Sequence, residues 1–188
     1  MIAPIMSAAA PSTRRLQIVD AARRLLEEQG PGALSMRNVA AEIGIRAPSL
    51  YEHVADKRAL ESAIIAVGLT EQGETLAAAT AEPGDPLAAT ADAWRRWALA
   101  HPHVYRLIYV RDLDREDPAV ANAERTARIP MRELCGGDVV AARVIWAFAH
   151  GMVQLELSDR FPPGADVEEL WARGLTALRS LLPPAPSG

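Results

Sequence analysis

Little in this 188-residue chain points to covalent, metal or membrane chemistry. Its single cysteine, Cys135, excludes an intramolecular disulfide and a cysteine-built metal cluster, and suits a reducing cytoplasm. No apolar run approaches the roughly 20 residues that span a bilayer, so no membrane partner is expected. Strand formers are sparse and nowhere alternate with polar residues over a useful length, which leaves no sheet to build. Lysine is nearly absent too: Lys57 stands alone against 19 arginines. The Met1–Pro11 stretch is apolar but short and lacks a basic start, a poor secretion signal. Residues 1–12 are expected to form a disordered tail, with Met6 as an alternative start.

What the chain does contain is helical pattern and helix punctuation. Nearly half of it, 49%, is apolar, enough for a real core. The spacing predicts an all-α protein of about nine helices. The first covers about Thr13 to Gln29, with Leu16, Val19, Ala22, Leu25 and Leu26 on one stripe. The second starts at the cap Ser35 and buries Val39, Ala40 and Ile43; a turn at Gly44 and a third short helix with Leu50 and Val54 inward follow. Asp56 caps a long fourth helix, to about residue 81. After the Glu82-Pro83-Gly84-Asp85-Pro86 break come helices over about 86–101, 103–110 and 118–134, the last with a kink expected at Pro130. Asp112–Asp117 reads as a solvated acidic loop.

A helix over about 138–159 is apolar almost all round, with Val140, Val144, Ala147, Gly151 and Leu155 on one face and Trp146, His150, Val153 and Leu157 on another. The closing helix carries Trp171, Leu175, Leu178 and Leu182 on one face and Leu170, Gly174, Ala177 and Leu181 beside it. Two such helices predict a four-helix interface between two copies, formed by Val140, Val144, Ala147, Gly151 and Leu155 with Trp171, Leu175, Leu178 and Leu182. The expected organisation is a helix-turn-helix domain over 13–60, a linking helix to about 81, a second helical domain over 82–183, and a tail over 184–188.

The first 60 residues hold eight Lys/Arg and six Asp/Glu, a net +2, and the remainder nets −6. Only the first part suits phosphate. Ser35 to Val54 reads as two short helices around a tight turn, the arrangement that lays a helix in the major groove. Arg37 and Arg46 can reach a guanine edge or a phosphate. Ala47, Pro48 and Ser49 are small enough for close entry, although Pro48 would start the helix regardless. Tyr51 and His53 suit phosphate contacts. Lys57 opposes the helix dipole at the start of the fourth helix, a placement that a phosphate would reverse in sign. Glu52 is an acid among these, tolerable where it accepts from a cytosine amine.

The stretches Gly44-Ile45-Arg46-Ala47-Pro48-Ser49-Leu50-Tyr51-Glu52-His53-Val54 and Asp56-Lys57-Arg58-Ala59-Leu60 resemble the tetracycline-repressor-like (TetR) family of bacterial transcriptional regulators. Trp97 to Leu107 and Trp146-Ala147-Phe148-Ala149-His150-Gly151 look like its Trp/His-Gly subclass. Glu52 departs from the aromatic or neutral residue common there. The resemblance implies a homodimer, a palindromic double-stranded DNA operator, repression, and a small-molecule effector held in the C-terminal domain. Candidate pocket residues are Trp94, Trp97, Tyr105, Tyr109, Met131, Trp146 and His150, with Met152 and Gln154; each serves equally well as ordinary core. No cofactor and no metal are expected. An enzyme built on His101, His103, His150 and Cys135 finds no nucleophile or metal-ligand motif, so no catalytic residue is assigned. A helix-turn-helix-derived adaptor without specific DNA binding is the competing reading, against which Arg37, Tyr51, His53 and Lys57 stand intact.

Overall fold

A computed structural model describes residues 13–110 and 114–184; the expected tail over residues 1–12, most of the one over 184–188, and the first residues of the acidic loop lie outside them. The described residues form ten α-helices and a closing 3-10 turn with no strand. They are α1 (Thr13–Gln29), α2 (Met36–Glu42), α3 (Ala47–Tyr51), α4 (Lys57–Thr80), α5 (Pro86–Ala100), α6 (Pro102–Val110), α7 (Pro118–Ala127), α8 (Ile129–Leu134), α9 (Val139–Leu157) and α10 (Val167–Leu178), then Arg179–Leu181. The expected helix over 118–134 is two: the chain breaks at Arg128, and Pro130 sits in the first turn of α8, where its missing N–H is harmless. Taken as one interrupted helix, the pair restores the nine expected.

The chain divides into two compact units, with the division at Ile64/Ile65 inside α4. In the first unit, Ile18, Ala22 and Leu26 of α1 are buried, as are Val39 and Ala40 of α2, Leu50 and Val54. Ile43, expected inside, is only half-buried, and Met36 is buried instead. Ser35 accepts from the Asn38 amide at 3.2 Å, which starts α2. Gly44 then turns the chain at φ +68°, a conformation that penalises any residue with a Cβ.

Four helices of the second unit start at aspartates. Asp85 accepts from Leu87 N at 3.2 Å and Asp117 from Ala119 N at 2.8 Å, each with Pro next at the helix start. Asp138 and Asp166 cap α9 and α10 in the same way. Helices approach closely where a side chain is missing. A Cβ on Gly68 would lie 2.7 Å from Val104, and one on Gly73 would lie 2.9 Å from the Ala127 backbone. One core cluster gathers Leu87, Met131, Cys135, Ala141, Ala142 and Ile145, with Leu175, Leu178 and Leu182 packed against it. Burial, then the neighbouring Asp138, pushes the Cys135 thiol up, so it stays protonated and unreactive.

Candidate nucleic-acid interface and aromatic cluster

The short helix α3 presents its polar side outward because Leu50 alone anchors it. Arg46 precedes it in extended backbone (φ −80°, ψ 144°) without capping through its side chain, which leaves the guanidinium exposed. Pro48, Ser49, Tyr51 and Glu52 are exposed, Ala47 and His53 half-buried. Tyr51 keeps 51% of its surface accessible, unusual for a large ring and idle in the fold. Arg37 lies exposed in the first turn of α2. Neither Arg37 nor Arg46 meets a carboxylate among the described residues.

Asp56 accepts from Ala59 N at 2.8 Å and so caps α4, of which Lys57 is the first residue. The lysine is countered by Glu61 at 3.8 Å, a loose, solvent-screened contact. The exposed cations and hydroxyls of α2, α3 and the start of α4 therefore share one unit with little internal neutralisation. Such a surface can bind a phosphate backbone and offer side chains to base edges.

In the second unit, five of the expected pocket residues come together. Tyr105 and Tyr109, one turn apart on α6, stand 4.7 Å from each other between ring centroids. Trp94 meets Tyr105 edge-on at 6.3 Å and Tyr109 at 5.9 Å. Trp146 stacks on His150 at 5.2 Å with only 8° between the ring planes. The Tyr105 hydroxyl lies 2.8 Å from His150 Nδ1. Burial lowers the His150 pKa, so the ring is held neutral; with Nε2 protonated, Tyr105 O–H donates to Nδ1. Burial raises both tyrosines, so their hydroxyls keep their protons.

Gln72 completes this cluster and escaped the sequence reading. Its Oε1 accepts from Tyr109 O–H at 2.6 Å, and its side chain is 1% exposed. A signal was present: Leu69, Gln72 and Leu76 share one face of α4, so the glutamine stands on an otherwise buried stripe. Its Nε2 group and the Trp94 Nε1 group are buried with no hydrogen bond among the described residues. The Gln72 group carries an unmet desolvation cost of about 1–3 kcal/mol, whereas the Trp94 indole N–H is near enough to the Tyr105 hydroxyl to lower that group's pKa against the larger effect of burial. Two of the other expected residues lie elsewhere. Met131 belongs to the separate cluster around Cys135, and Trp97 packs with His101 at 5.3 Å.

The closing helices differ from expectation in which faces are free. Val140, Val144, Ala147 and Leu155 of α9 are exposed and Gly151 half-exposed, with Val140 at 68%. Trp171, however, is 5% exposed: its Nε1 donates to Glu156 Oε1 at 2.8 Å, and Phe148 meets it edge-on at 5.5 Å. Arg95 grips the same Glu156 with Nε and Nη2 at 3.0 and 2.8 Å. Trp171, Leu175, Leu178 and Leu182 thus face their own chain's core, and α10 turns Leu170 and Ala177 outward instead. Among the described residues no helix is long and apolar enough to cross a membrane, and no group of three metal-binding side chains gathers.

Residues 18–64 match the family described as bacterial regulatory proteins, tetR family, and residues 87–178 match the tetracyclin repressor-like C-terminal domain. A helix-turn-helix-type transcriptional regulator of Mycobacterium tuberculosis is 28% identical over 155 residues, which cover 77% of this chain and 70% of that one. The solved structure of a regulatory protein matches with a TM-score of 0.76 at 24% identity, over 91% of this chain and all of that one. A structure titled as a multidrug binding protein complexed with imidazole matches with a TM-score of 0.64 at 25% identity, over 93% and 98% of the two chains.

Proposed function

Because the chain belongs to the tetracycline-repressor family of DNA-binding transcriptional regulators, which are not enzymes, we propose that it is a cytoplasmic homodimeric repressor released from a palindromic operator by a small molecule. The observation that carries the DNA contact is the exposed set Arg37, Arg46, Ser49, Tyr51 and Lys57, in which only Lys57 meets a carboxylate, and loosely, with Ala47, Pro48 and His53, displayed around α3. Base contacts go to Arg37 and the start of α3; phosphate contacts go to Tyr51, His53 and Lys57. Arg46 serves either. Two copies related by a twofold axis would read half-sites spaced by about one turn of DNA, about 34–36 Å, or somewhat more.

The dimer is supported by the exposed stripe Val140, Val144, Ala147, Gly151 and Leu155, apolar over four turns of α9. Leu170 and Ala177 of α10 take the places first given to Trp171, Leu175, Leu178 and Leu182. The effector site is supported by the cluster of Trp94, Tyr105, Tyr109, Trp146 and His150, beside the buried Gln72 Nε2 group, which makes no hydrogen bond among the described residues. Trp97 and Met131 are left out of it. An aromatic ligand with an oxygen acceptor fits that chemistry better than a cation. To release the operator it must favour the non-binding state; a tenfold effect takes about 1.4 kcal/mol of differential affinity.

In vitro selection of binding sites from random duplex DNA tests the reading. A palindromic motif is the expected result. Failure of a folded dimer to select any motif at low salt overturns it and leaves the adaptor role. Operator titration with and without a candidate effector then tests release, and an unchanged dissociation constant at saturation rejects that compound.

A further inference from the structure

Among the outward side chains of α3, one is acidic. Glu52 closes the helix in helical backbone (φ −67°, ψ −21°) and is exposed, as is Pro48 one turn before it. At 100° per residue, positions 48 and 52 each lie within about 20° of the direction opposite the buried Leu50. They form the crest of the helix, the side turned away from Leu50 and so the one offered to a groove. Several other carboxylates of this unit are occupied within the chain. Asp20 pairs with Arg24, Glu42 approaches the same arginine at 3.9 Å, Asp56 caps α4, and Glu61 meets Lys57. Glu52 has no hydrogen bond or ion pair among the described residues.

An ionised carboxylate only accepts. Along the phosphates it would be repelled. In the major groove, donors are found at cytosine N4 and adenine N6, and the adenine amine lies beside the N7 acceptor, which repels a second acceptor. Guanine offers only acceptors there and thymine an acceptor and a methyl. Cytosine is the one base whose edge a carboxylate at this crest can satisfy without a penalty beside it.

We propose that Glu52 is a specificity-determining residue that selects a cytosine in each half-site. The inference rests on the DNA-reading role of α3 given above. Glu52 makes no contact that holds the fold, so its replacement changes the reading surface alone.

The test takes the full chain and its Glu52→Gln and Glu52→Ala variants through selection from one random-duplex library at one salt concentration. The expected wild-type motif has cytosine at one position of each half-site. Glu52→Gln shifts that position to adenine, whose N6 and N7 match an amide. Glu52→Ala loses the preference there and keeps the rest of the motif. With a fixed operator, changing that cytosine to thymine weakens the wild type roughly tenfold and Glu52→Ala hardly at all. One motif shared by all three proteins, with both variants binding uniformly tighter, overturns the inference and makes Glu52 a phosphate-facing charge. A folded wild type that selects no motif removes the DNA-reading role itself along with it.

Discussion

Lys57 stands at the positive end of its own helix, and Glu61 at 3.8 Å only partly offsets that placement. A phosphate oxygen would improve it. Lys57→Ala should therefore weaken binding to every duplex alike and reduce the salt slope by about one ion, read from titrations at several salt concentrations. Arg37→Ala should behave differently. A base contact predicts a loss of about 1–3 kcal/mol in discrimination at one position, with the remaining positions unchanged, measured on single-base operator variants. His150 carries a pH signature. Burial depresses its pKa below the ordinary 6.5, so the folded chain binds fewer protons than the unfolded one. That stabilising term is fully present above about pH 6.5 and is lost as the pH falls, when protonation also removes the acceptor of the Tyr105 hydroxyl. Thermal unfolding followed from about pH 7.5 to 5.5 should fall more steeply for the wild type than for His150→Gln. Equal slopes would show that His150 does not set the dependence.

At the scale of elements, the turn between α2 and α3 is fixed by Gly44 at φ +68°, where an added Cβ would meet nothing within 4 Å. The penalty of Gly44→Ala is then one of backbone alone, about 1–2 kcal/mol in denaturant unfolding. Gly32→Ala, with equally open surroundings and no positive φ, is the control and should be close to neutral. These local devices were legible because each depends on a few adjacent residues: Ser35, Gly44, Pro48 and Asp56 announce caps and turns by type. What the sequence did not settle depended on partners far along the chain. Both faces of α10 are apolar, so periodicity alone cannot choose between them. The choice is made by Glu156, which holds the Trp171 indole, and by Phe148, whose ring occupies the space over Gly174. Met131 looked like Trp94 or Tyr109 as a pocket candidate, yet α8 carries it to the cluster around Cys135. Gln72 was overlooked since one amide in an alanine-rich helix has no motif of its own.

For the whole molecule, the proposed pairing would rest on the exposed stripe on α9. An acid placed in its middle should abolish pairing without disturbing the chain's own core. Val144→Asp is expected to sediment as a monomer with helical circular dichroism retained, and to lose operator affinity by much more than any single phosphate contact. A monomer that still bound the operator normally would separate DNA reading from pairing.

Val140, at 68% exposure, also has a consequence for the cell that makes the protein. Where the reading form is a pair, operator occupancy at low copy number rises with the square of abundance instead of in proportion to it. A modest fall in synthesis, as when a dividing cell dilutes its contents, would then open the regulated gene sharply before any effector arrived. The strength of one greasy stripe would set the expression level below which repression collapses.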